Sequence, residues 1–242
     1  MLRSIKDLRG YTLLATDGEI GEVDDFLFHD DDWTIRYLVV DTGKWLPGRK
    51  VLISPAALGH PDWETGRFPV QLTREAVEAS PDIDLDRPVS RQREIELHNY
   101  YAWTPYWPSV EMGEVGPAIP PETLAERPES KGDPHLRSAA EVCGYRIHAS
   151  DGEIGHVEDF IVEEGSWIIR YMVVDTRNWW PGRKVITSPG WITEIRWRDR
   201  KVCVNLSRET IRNSPAYDPN APVNVEYEDR LYDYYGRPKY WT

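Results

Sequence analysis

The residues best equipped for chemistry in this chain are six histidines, two cysteines and an excess of carboxylates. Their spacing decides what they can do, because the chain contains one stretch twice. Residues Gly10 to Pro55 (GYTLLATDGEIGEVDDFLF through WTIRYLVVDTGKWLPGRKVLISP) recur as Gly144 to Pro189, at a constant offset of 134 residues and with 27 of 46 aligned pairs identical, which is duplication rather than chance. A catalytic or metal centre built into a duplicated fold would be expected to use paired positions. None of His29, His60, His98, His135, His148 and His156 has a histidine 134 residues away. No HExxH, Walker A loop, GxSxG elbow or CxxC pair occurs. Cys143 and Cys203 align with Arg9 and Pro69, so neither belongs to the shared design, and both read as small buried apolar residues. Asp30-Asp31-Asp32 offers hard oxygen ligands for a cation, but its counterpart is Glu164-Gly165-Ser166 and no EF-hand spacing is present, so it reads as a solvated hairpin tip. Glu19, Glu22 and Asp24 could relay protons; the simpler reading is an acidic, solubilising face. The expectation is therefore a chain with no catalytic residues, no metal and no cofactor.

The strongest candidate for recognition is the loop TGKWLPGRK and its copy TRNWWPGRK. Trp45 and Leu46, like Trp179 and Trp180, sit in a Pro-Gly break, and Arg49-Lys50 and Arg183-Lys184 follow in an otherwise acidic chain. Aromatics and arginine dominate binding hot spots, and loops on a rigid scaffold are where recognition resides. The competing reading makes the tryptophan a cap on its own domain and pairs the arginine with Asp41 or Asp175.

Charge narrows the partners. A net charge of −12 and a pI near 5.0 argue against nucleic acid, which requires a clustered basic surface, and against docking on anionic lipid. The opening MLRSIKDLRG lacks the apolar core of a signal peptide and nowhere do 18 apolar residues run together, so a cytoplasmic protein without an integral membrane segment is expected. The partner is then an unidentified protein or a second copy of the chain.

The elements that position these residues are short strands. Thr16-Asp17-Gly18 is a turn signal; Ile20–Phe28 and Trp33–Val40, rich in β-branched and aromatic residues, flank the polar tip 29–32 as a hairpin. Pairing Phe28 with Trp33 sets Asp25 opposite Arg36 and, in the copy, Asp159 opposite Arg170, predicting a structural ion pair in each unit. Strand Val51–Ser54 follows, then a second hairpin over Trp63–Leu72 and Trp197–Leu206, brief helices capped by Thr73 and Ser207, and helices over Arg93–Tyr101 and Tyr227–Tyr235. Each unit ends in an aromatic tail (Tyr100, Tyr101, Tyr106, Trp107; Tyr234, Tyr235, Tyr240, Trp241), too apolar to leave in solvent. The domains expected are residues 1–107, a Pro-rich acidic linker over 108–141 with a short helix near 121–126, and residues 142–242. Fused duplications commonly preserve a former homodimer, so the units are expected to pack about an approximate two-fold axis.

DGEIGEVDDFLF followed by WTIRYLVVD resembles the signature of the PRC-barrel family, which includes the cytoplasmic domain of the photosynthetic reaction centre H subunit and a ribosome maturation factor. The resemblance covers both repeats to about Ser54 and Ser188. It implies a mainly β protein of two tandem small antiparallel barrels, each with short helices, acting as interaction modules rather than enzymes, as in a bacterial tandem PRC-barrel protein. The chain lacks both the membrane helix of the H subunit and the RNA-associated domain of the maturation factor, so neither specific role carries over. A reaction-centre-like accessory role in proton or electron transfer is one alternative. An enzyme or ligand carrier with a site between the barrels is the other, recognisable by a deep cleft lined with convergent polar groups.

Overall fold

The structure is a computed structural model that describes residues 1–83, 89–107, 135–176 and 183–241. It is mainly β, with two sheets and six short α-helices among the described residues. In chain order the first half contributes β1 (Leu2–Ser4), α1 (Ile5–Leu8), β2 (Thr12–Ala15), β3 (Gly18–His29), β4 (Ile35–Asp41), β5 (Lys50–Ile53), β6 (Arg67–Pro69), α2 (Arg74–Glu78) and α3 (Arg91–Tyr101). The second contributes β7 (Leu136–Ser138), α4 (Ala139–Val142), β8 (Arg146–Ala149), β9 (Gly152–Glu163), β10 (Ile169–Asp175), β11 (Lys184–Thr187), β12 (Ile192–Arg196), β13 (Lys201–Val204), α5 (Arg208–Asn213) and α6 (Val225–Tyr235).

The DGEIG motif explains itself locally. Asp17 Oδ1 accepts the backbone N–H of Arg74 at 2.8 Å, and Asp151 accepts that of Arg208 at 2.7 Å, so each turn is tied to the start of a helix. The second glycine recurs because β3 and β4 cross too closely for a side chain: a Cβ at Gly21 would lie 2.0 Å from Asp41 O, and one at Gly155 2.0 Å from Asp175 O. Gly21→Ala is expected to cost about 3 kcal/mol by forcing the strands apart, read as a lower urea midpoint with unchanged m-value.

One sheet runs β5-β4-β3-β2-β6 and the other β11-β10-β9-β8-β13-β12. Each is an open path: among the described residues no ladder joins β5 to β6 or β11 to β12. The sheets are mostly antiparallel, as expected, with one parallel pair in each, β2 with β6 and β8 with β13. The chain crosses from β5 through a 3-10 turn at Pro55–Ala57 and re-enters alongside β2. The expected Trp63–Leu72 hairpin is irregular, held by the isolated antiparallel bridges Asp62–Arg67 and Leu58–Val70 and not by a continuous ladder, whereas the copy forms β12–β13 in full.

The hairpin register also differs. Phe28 pairs with Ile35 rather than Trp33, and Asp25 lies opposite Val39 rather than Arg36. The cause is the tip, where Trp33 and Trp167 both adopt φ of 57°, together with bulges on either side of Asp25. The left-handed tryptophans are held by the partner unit: Trp33 O accepts Ile169 N–H at 2.7 Å and Trp167 O accepts Ile35 N–H at 2.9 Å.

These contacts belong to a reciprocal exchange. Strand β1 leaves its own unit and pairs with β9 (Leu2, Arg3 and Ser4 on Glu163, Val162 and Ile161), and β7 pairs with β3 (Leu136, Arg137 and Ser138 on His29, Phe28 and Leu27). Every pair reappears at the 134-residue offset, the self-complementarity of a two-fold interface. The aspartates expected to bind arginine secure the exchanged segments instead. Asp25 accepts Ser138 Oγ at 2.5 Å and Ala140 N–H at 2.9 Å; Asp159 accepts Ser4 Oγ at 2.5 Å and Lys6 N–H at 3.1 Å. Arg36 turns to Asp32 and Arg170 to Glu163. Burial pushes both aspartate pKa values above the usual carboxylate range, against the hydrogen bonds that favour the anion.

The halves therefore share one hydrophobic core, with Phe28 and Phe160 in contact across it at 5.7 Å. Residues Leu136 to Glu141, placed by the sequence in the linker, are folded onto the first unit. Residues 108–134 of that linker, with the helix expected near 121–126, lie outside the described residues.

Candidate functional site

The WxPGRK loop packs on its own unit. Trp45 is half-buried against the core with the Arg74 guanidinium 4.4 Å above its ring. Arg49 donates to the carbonyls of Glu78 and Ser80, both at 2.5 Å, satisfying the end of α2, and Arg183 donates to the carbonyl of Ser214 after α5. The arginines thus meet helix ends rather than Asp41 or Asp175. Lys50 Nζ binds Asp24 at 2.7 Å and Lys184 Nζ binds Glu158 at 2.6 Å. Leu46 is half-buried, its carbonyl accepting Thr42 Oγ1 at 2.8 Å. Trp179 and Trp180 lie outside the described residues.

A second constellation is absent from the sequence expectations. Glu94, fully buried on α3, receives the hydroxyls of Tyr37 at 2.9 Å and Tyr106 at 2.6 Å on one oxygen and Arg91 at 2.9 Å on the other. Glu228 on α6 receives Tyr171 at 2.6 Å and Tyr240 at 2.8 Å. Burial raises all four tyrosine pKa values, so the hydroxyls stay protonated as donors. All six residues occupy paired positions. The pairing test applied to the histidines finds these clusters once extended to acids and tyrosines. They bolt helix and aromatic tail to the outer face of the middle strand, β4 or β10. Truncation after Lys239 removes Tyr240 and the Trp241 ring that meets Tyr232 at 5.0 Å; the expected loss of about 1–2 kcal/mol lowers Tm by about 2–8 °C.

His98 replaces the paired Tyr232 and meets the Tyr37 hydroxyl at 2.8 Å through Nε2; burial depresses its pKa, favouring the neutral ring. It lines a cleft of about 690 Å³ between the units, walled by Arg36, Ser54, His60 and Tyr106 from the first and by Glu164 and Ser166 from the second. Above it, at the hairpin tip, Asp30, Asp31 and His135 each bring a donor atom within 4.8 Å of the others.

The ladders β2 to β6, the DGEIG crossing and the WxPGRK loop itself fall inside one stretch of the first unit that a known family covers, while the carbonyls that Arg49 meets at Glu78 and Ser80 lie just beyond it. Residues 2–74 carry a PRC-barrel domain. The match runs from β1 to the first residue of α2, so the exchanged strand belongs to the PRC-barrel domain by sequence although it sits in the other sheet. It leaves out α3 and the aromatic tail that carry the Glu94 cluster. The second unit, outside the matched stretch, is similar to this PRC-barrel domain through the repeat and the same core ladders. Comparison with curated proteins gives no match. No helix among the described residues is long and apolar enough to cross a membrane.

Proposed function

We propose that the protein is a non-catalytic interaction module: two PRC-type barrels, filled by their own side chains and fused through exchanged strands, that present one rigid surface to a protein partner or a second copy. The carrying observation is that the paired polar groups all serve the chain itself. Asp25 and Asp159 hold exchanged segments, Glu94 and Glu228 hold tails, and Arg49 and Arg183 hold helix ends. Groups so engaged make a scaffold rigid and leave recognition to its exposed rim. The test is reconstitution: a protein captured from the native host on the full chain, then purified, should form a stoichiometric complex with it in light scattering. Failure to form that complex, with no concentration-dependent self-association, would refute the reading. Within it, Trp45→Ala is expected to cost about 2 kcal/mol because the ring is packed on the core; a smaller loss with partner capture abolished would make Trp45 an anchor instead.

A second reading, a carrier for a small ligand, is favoured by the inter-unit cleft alone, whose walls mix imidazole, guanidinium, carboxylate and hydroxyl groups. Ligand-observed NMR on a mixed metabolite panel, with binding lost on filling the cleft by Ser54→Trp, would establish it.

A further inference from the structure

The strand exchange delivers the start of β7 to the β3–β4 tip, where side chains from two remote stretches meet. We propose that Asp30, Asp31 and His135 form a site for one divalent first-row transition ion per chain, with Zn²⁺ the ion of choice. His135 Nδ1 stands 2.9 Å from Asp30 Oδ1 and 3.5 Å from Asp31 Oδ1. Tetrahedral donors at zinc bond lengths lie about 3.3–3.6 Å apart, close to both imidazole–carboxylate separations, and the two carboxylate oxygens lie within 4.8 Å of each other. One imidazole nitrogen with two carboxylate oxygens suits zinc and its neighbours; calcium and magnesium take oxygen alone.

The surroundings orient the donors. Arg137 Nε donates to Asp30 Oδ2 at 2.9 Å, which fixes that carboxylate with its other oxygen toward the imidazole. On the far side the His29 ring stacks on His135 at 5.5 Å. The His29 side chain is only 15% exposed, and its Nδ1, sealed from solvent 4.0 Å from Asp32 Oδ1, has no hydrogen-bond partner among the described residues. A second imidazole thus stands beside the first with an unused nitrogen.

The duplication supplies an internal control. At the matching tip the three positions are Met1, Glu164 and Gly165, without an imidazole and with a single carboxylate, and the chain's amino group lies 3.7 Å from Glu164. An ordinary ion pair stands where the first unit has three donors. Among the described residues the site is therefore single, and it links β7 of one half to the hairpin of the other.

The test titrates Zn²⁺ alone into chelator-treated, tag-free full chain, with millimolar Mg²⁺ present, by calorimetry and thermal melting. Expected are one equivalent bound and a rise in Tm. Asp31→Asn, at a side chain 69% exposed whose loss leaves the fold intact, should weaken binding at least about tenfold. His135→Ala should abolish both signals, and His148→Ala should change neither. No saturable binding, or the same affinity in Asp31→Asn and His135→Ala as in the unaltered chain, would overturn the site.

Discussion

Produced alone, residues 1–107 and residues 135–242 are each expected to give no folded monomer, and mixed they are expected to assemble into one 1:1 complex. Each half without the other loses a strand from its sheet and exposes the contact face around Phe28 or Phe160. Its buried aspartate also loses two donors: Asp159 without Ser4 Oγ and the Lys6 N–H, or Asp25 without Ser138 Oγ and the Ala140 N–H. Uncompensated burial of that kind costs several kcal/mol, comparable with the whole stability of a small domain. Because Leu2-Arg3-Ser4 and Leu136-Arg137-Ser138 are the same tripeptide, a lone half can satisfy itself only by exchanging strands with another copy, as a homodimer. Light scattering with chromatography and a thermal melt decide the matter; a half that runs as a monomer with a cooperative transition would contradict the exchange.

Glu94→Ala is expected to lower stability by about 3–5 kcal/mol, the cost of removing one partner from a buried charged network, here leaving Arg91 and two tyrosine hydroxyls behind. Glu94→Gln keeps the volume and one acceptor oxygen and should cost about half as much. Urea denaturation of both variants checks this. Equal losses would show that the charge matters there and the retained volume and acceptor do not.

How much of this was legible in the sequence depended on range. Strand identities, the turn at Asp17-Gly18, the caps at Thr73 and Ser207 and the aromatic tails are local patterns, and the structure has them. The duplication was equally plain. Hidden were the effects of long-range geometry. A ladder counted from an assumed Phe28–Trp33 pair missed the left-handed Trp33, whose conformation is imposed by the other unit. Asp25 and Asp159 were rightly marked as paired positions, but their partners lie more than a hundred residues away on exchanged segments, beyond any register argument. His135 had no histidine counterpart and looked idle; only the exchange carries it to Asp30.

That exchange has a mechanical consequence. Among the described residues, 2–8, 144–176 and 183–241 pack as one unit, with α6 held there by Glu228, while those from β2 to α4 pack as the other. Topologically the first unit is an insertion inside the second. A force applied between residues 2 and 241 would load the second unit alone, shearing β1 from β9 before any tension reached β2. In a pulling experiment the first unit should yield only after that strand has gone, so the order of rupture is written into the connectivity rather than into the relative strength of the two sheets.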